Sequence, residues 1–157
     1  DYNDLRPSDT EAREALLRKI LGEAKDGIII EQPFYCDYGY NIRVGNNFYA
    51  NFNLVILDEA PVTFGDNVFI APNCGFYTAG HPIDAAERNK GLEYAHPIKV
   101  GNNVWIGAGV SVLPGVSIGD NCVIGAGSVV VKDILSNSVA VGNPCKVIKR
   151  IISEHKN

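Results

Sequence analysis

The stretch VGNNVWIGAGVSVLPGVSIGDNCVIGAGSVV, residues 100–130, places an aliphatic residue at every sixth position: Val100, Ile106, Val112, Ile118, Ile124 and Val130. Gly, Asn, Asp and small residues fill the intervals. An amphipathic helix repeats every ~3.6 residues and a half-buried strand every ~2, so neither produces this period. A hexapeptide period is one short strand and one turn of a parallel β-helix, and three such units close a triangular coil. The aliphatic residue of each unit points inward and stacks on its equivalents above and below. Gly, Asn and Asp accept the left-handed backbone that sharp corners demand.

The phase extends backwards through Phe64, Ile70 and Phe76, and more weakly through Val44, Ala50 and Ile56. The spacing predicts an all-β-dominated chain of about four coils, beginning at Val44, Phe64, Val100 and Ile118. Stacked strands at about 4.8 Å would make a prism on the order of 20 Å tall. Two breaks interrupt it. Phe64 follows Ile56 by eight residues, and the polar segment GHPIDAAERNKGLEYAHPIK (80–99) stands where repeats should run. The second break predicts a loop over 79–98 protruding from the scaffold, a place where function often resides.

The flanks read differently. Ser8 and Glu11 have the spacing of a capping box. Ala12, Leu16, Leu17, Ile20, Leu21 and Ala24 then recur at helical spacing. Residues 1–26 are expected to form a helical segment docked on the open end of the prism. The segment GIIIEQPFYCDYGYNI (27–42) is expected to form an irregular capping coil, the β-helix to occupy 27–142, and a basic tail to follow over 143–157. All of it constitutes a single domain.

Composition narrows the function. The 157 residues carry 46% hydrophobic side chains and a net charge of −4, which disfavours a nucleic-acid partner. No apolar run is long enough to span a membrane. Four cysteines without a CxxC pair read as small buried residues of a reducing compartment, hence a cytoplasmic protein without disulfides or a metal site. The sequence shows no signal peptide. It lacks methionine and begins at Asp1, so a natural start upstream is expected.

Three groups of residues could carry chemistry. Of the three histidines, His155 is expected to be solvated and His96 structural. His81, at the mouth of the inserted loop, is suited to take a proton from a hydroxyl near neutral pH. It needs a carboxylate or carbonyl to hold its tautomer, and Asp84, Glu87 and Glu93 share its loop. A second group, Asp37, Asn51, Asn53, Asp58 and Glu59, could bind a polyhydroxyl ligand. Asn also suits β-helix corners, so Asn53 is uninformative, whereas Asp58 directly follows the apolar run LVIL and needs a specific partner. The third group is the basic Lys146, Lys149 and Arg150, with Lys132 before it. These could cap the solenoid or cradle phosphates. Trp105, the single tryptophan, could cover a corner or wall a ligand tunnel. Residues 106–109, IGAG, leave room for an extended ligand.

Taken together, FYCDYGYNI, NFYANFNLVILD, APNCGFYTAGHPID, VGNNVWIGAG, IGAGSVVVKDI and VGNPCKVIKRI resemble the maltose and galactoside O-acetyltransferase family of hexapeptide acyltransferases over nearly the whole chain. The resemblance implies a left-handed parallel β-helix, a homotrimer with sites between neighbouring prisms, and acetyl-CoA as co-substrate with no metal required. It implies that His81 is the general base by which a sugar hydroxyl attacks the thioester directly. It places the acceptor at Asp37, Asn51 and either Asp58 or Glu59. A backbone amide near Ala50–Asn51 would meet the oxyanion. It places CoA at Ala108, Ala126, Val131, Lys132, Lys146 and Lys149, with Trp105 beside the pantetheine arm. In the family a longer N-terminal helical region supplies a further acidic ligand, and the matching text is absent here. The runner-up is a hexapeptide acetyltransferase acting on an antibiotic or another small hydroxyl compound. A β-helical carbonic anhydrase would need three zinc-binding histidines, and a pure scaffold would need none of these groups.

Overall fold

The computed structural model describes residues 1–152, so His155 lies outside the described residues. Three parallel sheets form the faces of a triangular prism. The first face stacks Glu23–Ala24, Ile42–Val44, Val62–Phe64, Ile98–Val100 and Ser117–Ile118. The second stacks Ile29–Ile30, Tyr49–Ala50, Val68–Ile70, Val104–Ile106, Cys122–Ile124 and Ser138–Val141. The third stacks Phe34–Cys36, Leu54–Leu57, Gly75–Tyr77, Ser111–Val112 and Val129–Val130.

The six-residue phase is the pairing register. Val44, Phe64, Val100 and Ile118 stand opposite one another in successive strands of the first face. Ala50, Ile70, Ile106 and Ile124 do so on the second, and Ile56, Phe76, Val112 and Val130 on the third. All twelve are buried. A second inward row two residues earlier includes Ile42, Phe48, Leu54, Val62, Val68, Ile98, Val104 and Val110, all no more than 1% exposed. Each fully buried aliphatic or aromatic side chain contributes roughly 1.5–3 kcal/mol, so the stacked rows are the main source of stability. The corners are left-handed at Asn47, Asn53, Asn67, Asn73, Asn103, Asn121 and Asn137, with φ between 53° and 62°. Asn53 donates its side-chain N–H to Asn73 Oδ1 at 3.0 Å, a corner ladder rather than a ligand site.

The structure adds a coil to the expected four. Ala24, Ile30 and Cys36 are themselves six apart and pair with Val44, Ala50 and Ile56. The segment expected to be an irregular cap is therefore a regular first coil that begins within the stretch assigned to the helix. Helix α1 spans Thr10–Ile20 and its N-cap is Asp9, so the capping box at Ser8 does not form. Leu17 and Leu21 enter the core. Ala12 is exposed; its neighbour Arg13 is buried instead, donating to the carbonyls of Pro7 and Ile30 and pairing with Glu31 at 2.8 Å. At the other end, Lys146–Arg150 is an antiparallel strand on Ser138–Val141 rather than a loose tail.

The inserted loop is an arm. Ala79–Gly80 pairs antiparallel with Tyr94–Ala95, and a short helix, α2 (Ala85–Arg88), lies between them. All four cysteines are free, three of them buried. Among the described residues no helix is long and apolar enough to cross a membrane, and no cluster of His, Cys, Asp and Glu could hold a metal ion.

Candidate active site

The corner between the third face and the first is where the period fails. Regular hexapeptides would need no extra residues there, yet the chain inserts a turn at 37–41, another at 58–61, and the arm at 78–97. Stacking places these three departures above one another. Asp37, Glu59, His81 and Glu93 are thereby gathered at one corner by three successive coils.

His81 is exposed. Its Nδ1 lies 3.1 Å from the carbonyl oxygen of Leu92, across the arm. A carbonyl only accepts, so Nδ1 carries the proton and Nε2 presents its lone pair outward. The orienting group is thus a backbone carbonyl, and none of the three loop carboxylates. Asp84 instead caps α2 by accepting from the Glu87 N–H at 2.9 Å, and Glu87 pairs with Lys90 at 2.6 Å. His96 is exposed and sits beside the Tyr94 ring, with its backbone N–H bound to Thr78 O.

The two neighbouring acids that the sequence leaves as alternatives are separated by the structure. Asp58 is 0% exposed. Its Oδ1 accepts from the N–H groups of Asp37 (3.1 Å) and Tyr38 (2.9 Å), and its Oδ2 from those of Gly39 (2.8 Å) and Asn41 (3.4 Å). Both oxygens of this carboxylate are occupied by backbone donors, which favours Glu59 over Asp58 as the acid open to a ligand. Glu59 is half-buried, with Oε2 3.4 Å from the hydroxyl of the buried Thr78. That hydroxyl donates to Leu57 O and accepts from Ala60 N, fixing the chain on both sides of Glu59. Asp37 is exposed, and its carboxyl is held above the usual range. Partial burial is the largest cause, followed by the adjacent Glu59 and repulsion from Asp58 and Glu93. Glu93 therefore belongs to this acidic corner, a role the sequence reading did not give it. The Tyr38 and Tyr40 rings stack beside it, centroids 5.2 Å apart.

The remaining candidates lie elsewhere. Asn51 is half-buried at the corner between the second and third faces, its Oδ1 accepting from Phe52 N. Its own N–H is committed to Ile70 O at 2.8 Å, and Ala50 is fully buried, so this stretch offers no free amide of Asn51 for an oxyanion. Ala108 and Ala126 are exposed at the same corner, where the Gly127 N–H meets Ala108 O at 2.7 Å. A Cβ on Gly107 would come within 2.6 Å of Ala126 N, so the coils touch backbone to backbone there and leave a shallow track outside. Trp105 is 58% exposed on the second face. Along its outward row stand Tyr49, Phe69, Trp105, Val123, Val139 and Lys149, each opposite the next. Lys146 lies opposite Val141 on the same edge. Val131 and Lys132 are exposed at the corner of His81, two coils further on. The chain thus carries two chemical surfaces, an acid-and-histidine corner and an aromatic face with a basic edge, separated by the third face.

Residues 97–132 match the family model described as bacterial transferase hexapeptide (six repeats). The galactoside O-acetyltransferase of Escherichia coli K12 is 50% identical over 157 residues, covering 100% of this chain and 77% of that protein. A maltose O-acetyltransferase from Clostridium difficile 630 superposes with a TM-score of 0.93 at 54% identity, covering 97% of this chain and 81% of that one. A hexapeptide-repeat acetyltransferase from Vibrio cholerae, solved with acetyl coenzyme A, superposes with a TM-score of 0.92 at 35% identity, covering 97% of this chain and 82% of that one.

Proposed function

The chain belongs to the maltose and galactoside O-acetyltransferase family of acetyl-CoA-dependent hexapeptide acyltransferases, and we propose from that premise that it transfers acetyl to a hydroxyl of a sugar, with His81 as general base. The observation that carries the reading is the bond from His81 Nδ1 to Leu92 O, which leaves Nε2 as an exposed base on the arm whose Glu93 faces Asp37. Nε2 takes the hydroxyl proton as the sugar oxygen attacks the thioester carbon. The tetrahedral intermediate then expels the CoA thiolate, which recovers that proton. Asp37 and Glu59 accept hydrogen bonds from the remaining hydroxyls, the Asn51 side chain joins them only from the opposite corner of a neighbouring copy, and the Tyr38–Tyr40 pair offers an apolar wall to a sugar face.

The second face suits the co-substrate. An exposed indole and the shallow Ala108–Ala126 track fit a thin, partly apolar pantetheine arm. Lys149, at the end of the Trp105 row, and Lys146 on the same strand supply charge for its phosphates. The base and this wall stand at different corners of one prism, roughly 15 Å apart across a strand and its turn. A single prism cannot close both on one ligand. Neighbouring copies arranged as a homotrimer bring the acid corner of one against the aromatic face of the next.

The test is thiol release from acetyl-CoA with a panel of glycosides. His81→Ala should lower turnover at least about a hundredfold while CoA still binds. Turnover near that of the unmodified enzyme would refute the assignment.

A further inference from the structure

Asp58 is an ionisable group at the heart of the candidate site that touches nothing outside the protein. Among the described ion pairs none involves it. Its partners are four consecutive or near-consecutive backbone N–H groups, those of Asp37, Tyr38, Gly39 and Asn41, and the Asn41 side chain returns to Asp58 O at 2.8 Å. Convergent N–H dipoles of this kind stabilise a buried carboxylate without a cation.

The turn's carbonyls are held by backbone, Gly39 O accepting from the N–H groups of Gly22 (3.2 Å) and Ile42 (2.9 Å) and Asn41 O from that of Val62 (3.0 Å), but its N–H groups meet Asp58. Residues 37–41 make no strand ladder. Gly39 is left-handed, at φ +83, and a Cβ there would lie 2.6 Å from Ile20 O, so the turn is pressed against the end of α1. On its other side Asp58 is the only side chain found to hold its N–H groups. The Asp37 side chain leaves from the first residue of this turn and faces the acids of two further elements, Glu59 and Glu93. Like charges at such a corner push one another outward unless the backbone is fixed.

We propose that Asp58 is a positioning residue for the acceptor: by clamping the N–H groups of residues 37–41 it holds Asp37 in place at the corner from which the His81 arm rises. This rests on the reading of Asp37 as an acceptor contact. Asp58→Asn keeps the shape but turns an amide N–H₂ toward N–H donors, so at least two of the four bonds are lost. The acceptor KM should rise about tenfold, the effect of losing about one net hydrogen bond to the acceptor. The acetyl-CoA KM should stay within about twofold, since the aromatic face is untouched.

The experiment measures both KM values for Asp58→Asn, Asp37→Asn and the double variant, with amide hydrogen exchange over residues 37–41. The expected result is faster exchange in the turn, a raised acceptor KM alone, and no further rise when Asp58→Asn is added to Asp37→Asn. Faster exchange with an unchanged acceptor KM, while Asp37→Asn raises it, overturns the role of Asp58 and leaves the acceptor reading standing. An unchanged acceptor KM in Asp37→Asn overturns both. A proportional loss for both substrates, or additive effects in the double variant, means a general structural role and also overturns the proposal. If Asp58→Asn does not fold, Asn41→Ala loosens the same clamp from its other side. It should raise the acceptor KM by a smaller factor without changing that for acetyl-CoA, and an unchanged acceptor KM there counts against the clamp.

Discussion

At the scale of the residue, Asp58 and Glu59 show what alternation conveys. In LVILDE the inward positions are Leu54 and Ile56, and continuing that alternation puts Asp58 inside and Glu59 at the surface, as found. The information was in the sequence, but an acid at an inward position reads as an exception until its four donors are visible. The carbonyl behind His81 had no sequence signal at all, because any residue at position 92 provides one. Two predictions belong here. The Cys36 thiol is pushed up to about 11, first by burial and then by Asp58 and Asp37. At pH 8 only about one molecule in a thousand is a thiolate, so alkylation of Cys36 should be far slower in the folded protein than after unfolding. Asp37 has a raised folded value. Its contribution is therefore full below about pH 4, the unfolded value, and is lost as pH rises through the folded one. Asp37→Asn should raise Tm at neutral pH, with the difference vanishing below about pH 4 in thermal melts. The same substitution should weaken acceptor use, a gain in stability at the expense of function.

At the scale of the element, the repeats from Val44 onward were legible because their phase is carried by inward aliphatic residues with Asn or Gly at the corners. The first coil was not. Ala24 also fits the helical spacing of α1, and Cys36 is followed by a turn rather than a hexapeptide, so two patterns competed for the same residues. Left-handed corners give a sharp test. Asn67, at φ 55, accepts from the Asn47 side chain at 3.1 Å. Asn67→Ala should cost about 1–2 kcal/mol in denaturant unfolding, the strain of an ordinary residue in that region, and Asn67→Gly should cost less. Leu17 is 1% exposed where α1 meets the prism. Leu17→Ala should destabilise by about 2–5 kcal/mol.

At the scale of the whole molecule, what the sequence could not convey was which breaks coincide in space. The extra residues after Cys36, after Leu57 and after Tyr77 look unrelated along the chain, yet all fall at one corner. The basic residues were legible as charge, but the place of Lys149 opposite Val139, on the row of Trp105, and of Lys146 opposite Val141 next to it, follows only from the antiparallel return of the last strand. Lys149→Ala should raise the acetyl-CoA KM by about three- to tenfold, more at low salt than at high salt, with the acceptor KM unchanged. Sedimentation should give about three times the mass of the chain, and a monomer that still turns over would end the proposal of a site shared between copies.

That antiparallel return has a further consequence. A stack of parallel coils ends in unpaired N–H and C=O groups that invite another chain to continue it, the geometry from which fibrils grow. Helix α1 covers one end of the prism. On the second face at the other end, Lys146–Arg150 runs the wrong way to be extended by another coil and lines its exposed edge with three cations. Lys146→Val with Lys149→Val should increase light scattering on concentration while leaving the circular dichroism of the dilute protein intact. The charges that suit a cofactor's phosphates would then also be those that keep a solenoid finite.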